Sequence, residues 1–225
     1  PKEETSHQQN VTKPSYQLPS LDLLNKPKKK NNTTDNAAIE ANIEKLKQSN
    51  QDEIQDFLVN VIKIANEKIF NMQITNPNYK GMGTTAVLVA KINNKLYYES
   101  VGDSRLYYID SNKENIEQIT IDDTYVNELV RKKIIDKSEA KNHPQKHVLT
   151  KALGIFGSVE TKVDSLIRQN GLLLLCSDGL TNMVKNDNIL DIIKTSNFDT
   201  LSDALVDSAN RNGGADNVTV IVIEI

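Results

Sequence analysis

The chain has 225 residues, 27 basic and 30 acidic, for a formal net charge of −3. That near balance gives no general pull toward nucleic acid or an anionic membrane, so neither is expected as a partner. A single cysteine excludes an internal disulfide, no apolar run reaches the length of a membrane span, and the first residues lack a signal-peptide core; a cytoplasmic setting is expected.

Residues 1 to 36 are polar, carry Pro14, Pro19 and Pro27, and include the basic run "KPKKKNN". Such a segment buries too little apolar surface to offset its ordering entropy and reads as a linker or tail. Residues 37 to 49, opening "AAIEANIEKLKQ", read as a helical junction. From Asp52 to Phe70, the residues Ile54, Phe57, Leu58, Val61, Ile62, Ala65 and Ile69 recur at helical spacing, which predicts a helix with one face on a core. Asn76 and Pro77 predict a loop.

The stretches "TTAVLVAKI", "NKLYYESV" and "RLYYID" then read as three consecutive strands rich in β-branched and aromatic residues, with Asn93-Asn94 as a hairpin turn between the first two. "ENIEQIT" predicts a short fourth strand and "TYVNELVRKKII" a helix. After a stretch without clear pattern comes the strand "GLLLLCS". Helices follow over "DNILDIIKT" and "DTLSDALVDSANR", and "NVTVIVIEI" is a last apolar strand. Hairpin-linked strands, then helices, then a returning strand imply an α+β fold with antiparallel sheets.

Three aspartates fall at strand ends. Asp103 lies in "VGDSR", Asp178 directly follows "LLLLCS", and Asp216 lies in "GGADN". Asp and Gly are favoured turn residues, and for each position alone turn chemistry is the plainer reading. Gly179 is read as letting the backbone turn sharply after Asp178. Together the acids suggest a metal site, because Mg²⁺ and Mn²⁺ take oxygen ligands and a cation would stabilise a carboxylate at the edge of a leucine-rich core. Spacing alone does not bring the three together.

The motifs "GMGTTAVLVA", "YYESVGDSRLYYI", "NHPQKHVLTKALG", "LLLLCSDGL" and "ANRNGGADNVTVIV" resemble, in order and wording, the bacterial serine/threonine phosphatases of the protein phosphatase 2C type. The resemblance covers residues 50 to 225. It implies an α-β-β-α sandwich of two antiparallel sheets flanked by helices, and hydrolysis of phosphoserine and phosphothreonine in proteins by a water bridging two Mn²⁺ or Mg²⁺ ions. It further implies Asp178 and Asp216 as metal ligands and Asp103 as a ligand of a third, weaker metal site. Phosphoproteins, those of a cognate serine/threonine kinase, are the implied partners.

The departure lies at the start. The resemblance implies two opening strands, an arginine for the substrate phosphate, an acidic ligand in a "NED"-like motif, and a "DGMGGH" motif whose aspartate bridges both metals. None of these is in the sequence, so an N-terminally truncated phosphatase domain lacking its first strands, with weak or no activity, is expected. In their place, "YQLPSLDLLNKPKK" followed by "AAIEANIEKLKQ" is similar to the linker before the motor of FtsK/SpoIIIE DNA translocases, although no G-x-x-x-x-G-K-S/T phosphate loop exists. The alternative to an incomplete phosphatase is therefore a non-catalytic remnant, a phosphatase fragment fused to a translocase linker.

Cys176 reads as a buried structural thiol. His143 and His147 fall in a loop and read as non-ligands, and Asp123 stands where the resemblance implies a histidine after Asp122. Arg105 and Arg131 read as ion-pair residues.

Overall fold

The computed structural model describes residues 33–225. The expected tail falls almost wholly outside the described residues, and the basic run entirely so. Helix α1 (Thr33–Gln48) covers the expected junction, and the fold below is that of the unit Asn42–Ile225.

Helix α2 (Gln51–Thr75) starts at a capping box: Asn50 Oδ1 accepts from the Glu53 N–H, and the Glu53 carboxylate accepts from the Asn50 N–H, each at 3.0 Å. Its buried stripe is Ile54, Leu58, Ile62 and Asn66, one row of i+4 neighbours. Phe57 and Val61, expected on that face, are exposed. Further along the same row, Ala65 and Ile69 pack against the cluster of Ile62, Val101 and Leu153, so only the first turns of that row face solvent.

That sheet has the order β1 (Ala86–Ile92), β2 (Lys95–Val101) and, beyond it, a strand over Asp164–Leu166, all antiparallel. Asn93 and Asn94 both take positive φ, 48° and 62°, as a two-residue hairpin turn requires. The second sheet contains β3 (Arg105–Ile109), β4 (Ile116–Gln118), β6 (Leu172–Cys176) and β7 (Val220–Glu224), in the order β4-β3-β6-β7, again antiparallel. The strand over Asp164–Leu166, β5, lies in the stretch whose sequence shows no pattern; three residues are too few to display alternation.

Between the sheets Leu96, Leu106 and Leu173 are buried. On the outer face of the second sheet Tyr107, Ile109, Leu172 and Leu174 pack against α6 (Asn186–Thr195) and α7 (Phe198–Arg211) through Ile189, Ile193, Leu201 and Leu205. On the outer face of the first, Tyr97 and Ile92 meet Ile54 and Leu58, and Val101 meets Ile62. The layers run helix, sheet, sheet, helices. Short helices α3 (Tyr125–Arg131), α4 (Lys137–Ala140) and α5 (Asp178–Thr181) complete the fold. No described helix is long and apolar enough to cross a membrane.

One acid is buried in the α2-facing layer. Glu99, between Tyr97 and Val101 on β2, is 6% exposed. Its Oε1 accepts from the Thr161 hydroxyl and the Lys162 N–H, while Oε2 has no hydrogen-bond partner among the described residues. Burial, against those two hydrogen bonds and reinforced by the charges of Asp123 and Asp164, pushes its carboxyl above the usual range. A raised folded-state value means that the native state holds this proton longer than the unfolded chain does. The associated stability is complete below the unfolded value and is lost as pH rises through the folded one.

Two stability outcomes are expected. Leu174→Ala, at a fully buried position, lowers unfolding free energy by about 2–5 kcal/mol in urea titrations. Wild-type stability declines as pH rises above the ordinary glutamate range, and Glu99→Gln flattens that decline when denaturation is followed as a function of pH.

Candidate active site

The strand register gathers three loops at one end of the sandwich. Arg105 pairs with Cys176, and Cys176 pairs with Val220. The chain entering β3, the chain leaving β6 and the chain entering β7 therefore meet. These segments carry Asp103, Asp178 and Asp216, and all three line one open cleft of about 630 Å³, together with Lys146, His147 and Asn182.

Ser177 ties two of the loops. Its N–H donates to the Thr219 carbonyl at 3.1 Å, its hydroxyl accepts from the Thr219 N–H at 3.0 Å, and the same hydroxyl donates to the Asn217 carbonyl at 3.2 Å. Asp178 then opens α5, where Asn182 donates to its Oδ2 at 3.1 Å. Asp216 accepts from the Asn217 N–H at 2.7 Å. Gly179 is needed here for a reason other than the expected sharp turn. It sits inside α5, and a Cβ at this position would stand 2.3 Å from the Asn217 carbonyl oxygen. The missing side chain lets the Asp178 and Asp216 segments touch.

Asp103 is held by a different set. Gly102 has φ +101°, a conformation that an L side chain resists. Its N–H donates to Asp123 Oδ2 at 3.1 Å, and the Asp123 N–H donates to the Gly102 carbonyl at 2.8 Å. The Asp123 carbonyl accepts from the Thr150 N–H at 2.8 Å. Asp123 thus ties the Asp103 loop to the segment after Lys146 and His147.

Arg105 spends its guanidinium on structure. Its Nε and Nη2 donate to the Asp122 carboxylate at 2.7–3.1 Å, and Nη1 donates to the Tyr107 hydroxyl at 3.0 Å. Burial alone would lower its pKa, but the Asp122 hydrogen bonds and the neighbouring charges more than offset this and hold it high. Arg131 pairs with Glu128 at 2.7 Å on an exposed helix turn. Neither arginine faces the cleft in the way a phosphate ligand would.

Burial, and next the charge of Asp178, raise the Asp103 carboxyl above its ordinary range. Both acids line the same cleft. Cys176, behind the cleft, is pushed up to about 12 by burial, which leaves an inert thiol. His143 accepts from the Gln145 N–H at 3.1 Å and lies near the Tyr125 ring, whereas His147 lines the cleft. Lys146 and Asn182 line the cleft without a signal in the sequence, and His147, expected as a loop non-ligand, also lines it; they belong to loop and helix segments whose approach to the aspartates has no local signal.

Among the described residues no three His, Cys, Asp or Glu stand close enough together to hold a metal ion. The donors present are hard oxygens facing an open cleft. They suit one divalent ion that keeps several of its waters, as Mg²⁺ commonly does, and fall short of a closed shell for two.

The described residues form a two-sheet sandwich with flanking helices and an acidic cleft at one end, and comparison specifies the class of protein. No protein-family model matches the chain. The serine/threonine phosphatase stp of Listeria welshimeri is 38% identical over 177 residues, 77% of this chain and 69% of that protein. The crystal structure of the serine/threonine phosphatase Stp1 from Staphylococcus aureus aligns with a TM-score of 0.71 at 37% identity, covering 79% of this chain and 70% of that one. The catalytic domain of the phosphatase PstP, solved in complex with two manganese ions, aligns with a TM-score of 0.60 at 34% identity, covering 70% of this chain and 65% of that one. The chain belongs to the protein phosphatase 2C-type serine/threonine phosphatases.

Gly179→Ala forces apart the segments carrying Asp178 and Asp216. Overpacking of this kind costs about 1–3 kcal/mol, and thermal denaturation should show the loss.

Proposed function

We propose that the acidic cleft is the catalytic centre of a metal-dependent serine/threonine protein phosphatase domain, and that as it stands this chain works weakly or not at all. The observation that carries the reading is the convergence of Asp103, Asp178 and Asp216 on one cleft, with the Asp103 carboxyl raised in part by the charge of Asp178. Asp178 and Asp216 would hold a single Mn²⁺ or Mg²⁺ ion, with Asp103 beside them as the candidate ligand of a further, weaker site. A bound ion would lower the pKa of water and offset the negative charge on a phosphate.

The chain's own groups supply the rest. Asn182 orients the Asp178 carboxylate through its 3.1 Å hydrogen bond. Lys146 brings positive charge to the cleft wall and suits the phosphate of a phosphoserine or phosphothreonine side chain. The substrates on this reading are phosphoproteins made by a cognate serine/threonine kinase. Residues 50 to 225 form the phosphatase domain, residues 37 to 49 its helical junction, and residues 1 to 36 a linker whose likeness to the FtsK/SpoIIIE linker brings no motor with it.

Low activity follows from the donor count among the described residues. In-line attack on phosphorus gains from two cations clamping attacking and leaving oxygens. Each ~1.4 kcal/mol of lost transition-state stabilisation is a factor of ten in rate. A non-catalytic remnant differs from a weak enzyme in one respect, the response to removing an acid. With millimolar Mn²⁺ the chain should hydrolyse a phosphothreonine peptide near background, and Asp178→Asn should weaken Mn²⁺ binding about tenfold in calorimetry while leaving the metal-free fold as stable or more so, since it removes the charge facing Asp103. Unchanged Mn²⁺ affinity in that variant would remove Asp178 from the site; strong turnover would mean that another acid completes the shell.

A further inference from the structure

The segment from Arg131 to Lys151 carries seven lysines and arginines against two acids, Asp136 and Glu139, in a chain whose net charge is −3. Within it only Ala140 is buried, so backbone hydrogen bonds do most of the holding. The Tyr125 N–H donates to the Val148 carbonyl and the Thr150 N–H to the Asp123 carbonyl, each at 2.8 Å, which fixes the return of the segment onto the sandwich. Two successive turns lead from α4 to the cleft wall. The His143 N–H closes the first on the Ala140 carbonyl, and the Lys146 N–H closes the second on the His143 carbonyl.

The acids within reach of these cations are already engaged. Glu128 pairs with Arg131 at 2.7 Å and stands 4.0 Å from Lys132. The Glu139 carboxylate accepts from the Asp136 N–H at 2.7 Å at the start of α4. Asp123 stands 3.7 Å from Lys151 and also accepts from the Gly102 N–H. Among the described residues Lys133, Lys137, Lys141 and Lys146 have no ion-pair partner. Lys137 and Lys141 are four residues apart at α4, a spacing at which like charges repel. A surface that serves solubility alone intersperses the two signs. A one-sign surface that opposes its own helix is the kind of local inconsistency expected where function requires it.

Lys146 carries this positive field into the cleft of Asp103, Asp178 and Asp216. Each turn keeps its first and last Cα within about 7 Å, so the end of α4 lies within about 14 Å of Lys146. An extended peptide advances about 3.3 Å per residue. A carboxylate about four positions from a phosphorylated residue seated at Lys146 therefore reaches Lys141. Resting on the cleft as the phosphatase centre, we propose that this basic segment is the docking surface for acidic residues flanking the phosphorylated serine or threonine, which makes the substrates phosphopeptides rich in aspartate and glutamate near the phosphate. Nucleic acid suits the surface less well, because the three acids of the adjoining cleft repel a run of backbone phosphates.

Fluorescence anisotropy tests this on the whole chain with millimolar Mn²⁺. The probes are phosphothreonine peptides whose flanks are all glutamate or all glutamine, each made with and without the phosphate. The glutamate phosphopeptide should bind about fivefold or more tightly than the glutamine one, and added salt should shrink the difference by screening. Lys141→Glu should weaken binding of the glutamate phosphopeptide about two- to fivefold, the range of exposed charge pairs, and leave the glutamine one unchanged. Lys194→Glu makes the same charge change on α6, beside the Ile193 carbonyl that accepts from Lys113 of the β3–β4 turn, at the end of the sheet away from Arg105. It should alter neither affinity. Equal affinity for the two flanks would overturn the proposal. So would an equal loss in Lys194→Glu, or a single-stranded oligonucleotide that binds as tightly as the glutamate phosphopeptide. Preference for glutamate without preference for phosphate would uphold the basic surface and count against the cleft as a phosphatase centre; preference for phosphate without preference for glutamate would do the reverse.

Discussion

The pairing of β6 with β7 carries the rest of the molecule. It joins residues about fifty apart in sequence, Cys176 with Val220 and Leu172 with Glu224. One face of that pair holds the helices, through Leu172, Leu174 and Val222. The other lies toward the intersheet cluster of Leu173, Leu175 and Ile225. Beyond the end of the ladder, the hydrogen bonds of Ser177 continue the same pairing into the loops and fix where Asp178 and Asp216 stand. The acids owe their positions to the buried apolar strand β6 and its pairing with β7. This explains why "LLLLC" runs directly into an aspartate: the core strand is the rigid mount, and the carboxylate is placed where the strand leaves the core and reaches water.

The chemistry of the cleft follows from the same arrangement. A carboxylate at the mouth of a buried strand is costly unless water, a hydrogen-bond donor or a cation faces it. Asp178 has Asn182, Asp216 has the Asn217 N–H, and Asp103 answers to burial and the Asp178 charge with a raised pKa. A divalent ion would offset the repulsion between neighbouring acids and lower the raised Asp103 pKa. The positive side chains near the site divide into two roles. Arg105 is bound on both sides, by Asp122 and Tyr107, and shapes the wall. Lys146 lines the cleft without a salt bridge among the described residues and remains able to meet an anion.

Much of this was legible in the sequence where local pattern and tertiary context agree. Alternation and β-branched residues marked β1, β2, β3, β6 and β7, the Asn93-Asn94 turn set the first hairpin, and the helical spacing over "DNILDIIKT" and "DTLSDALVDSANR" marked α6 and α7. The ordered motifs led to the family and, through it, to Asp103, Asp178 and Asp216. What stayed hidden depends on contacts distant in sequence. Three-residue β5 gives no period. Helical spacing does not tell Phe57 and Val61, which are exposed, from Ala65 and Ile69 on the same row of α2, which pack on the core. Gly179 looked like a turn glycine, and only the approach of the Asn217 carbonyl shows its use. Glu99 reads as the polar member of an alternating strand, yet the strap carrying Thr161 and Lys162 covers it. Lys146 and His147 lie in a loop whose destination no local rule predicts.

The central claim is that strand register, by bringing the Asp178 and Asp216 loops together, builds a divalent-cation site at this end of the sandwich. Anomalous diffraction from crystals of the chain grown with Mn²⁺ tests it most directly. The account predicts a manganese peak within coordination distance of the Asp178 and Asp216 carboxylates, absent from crystals of Asp178→Asn. A map with no peak in that cleft at saturating Mn²⁺, or a peak that survives the substitution unchanged, would contradict it.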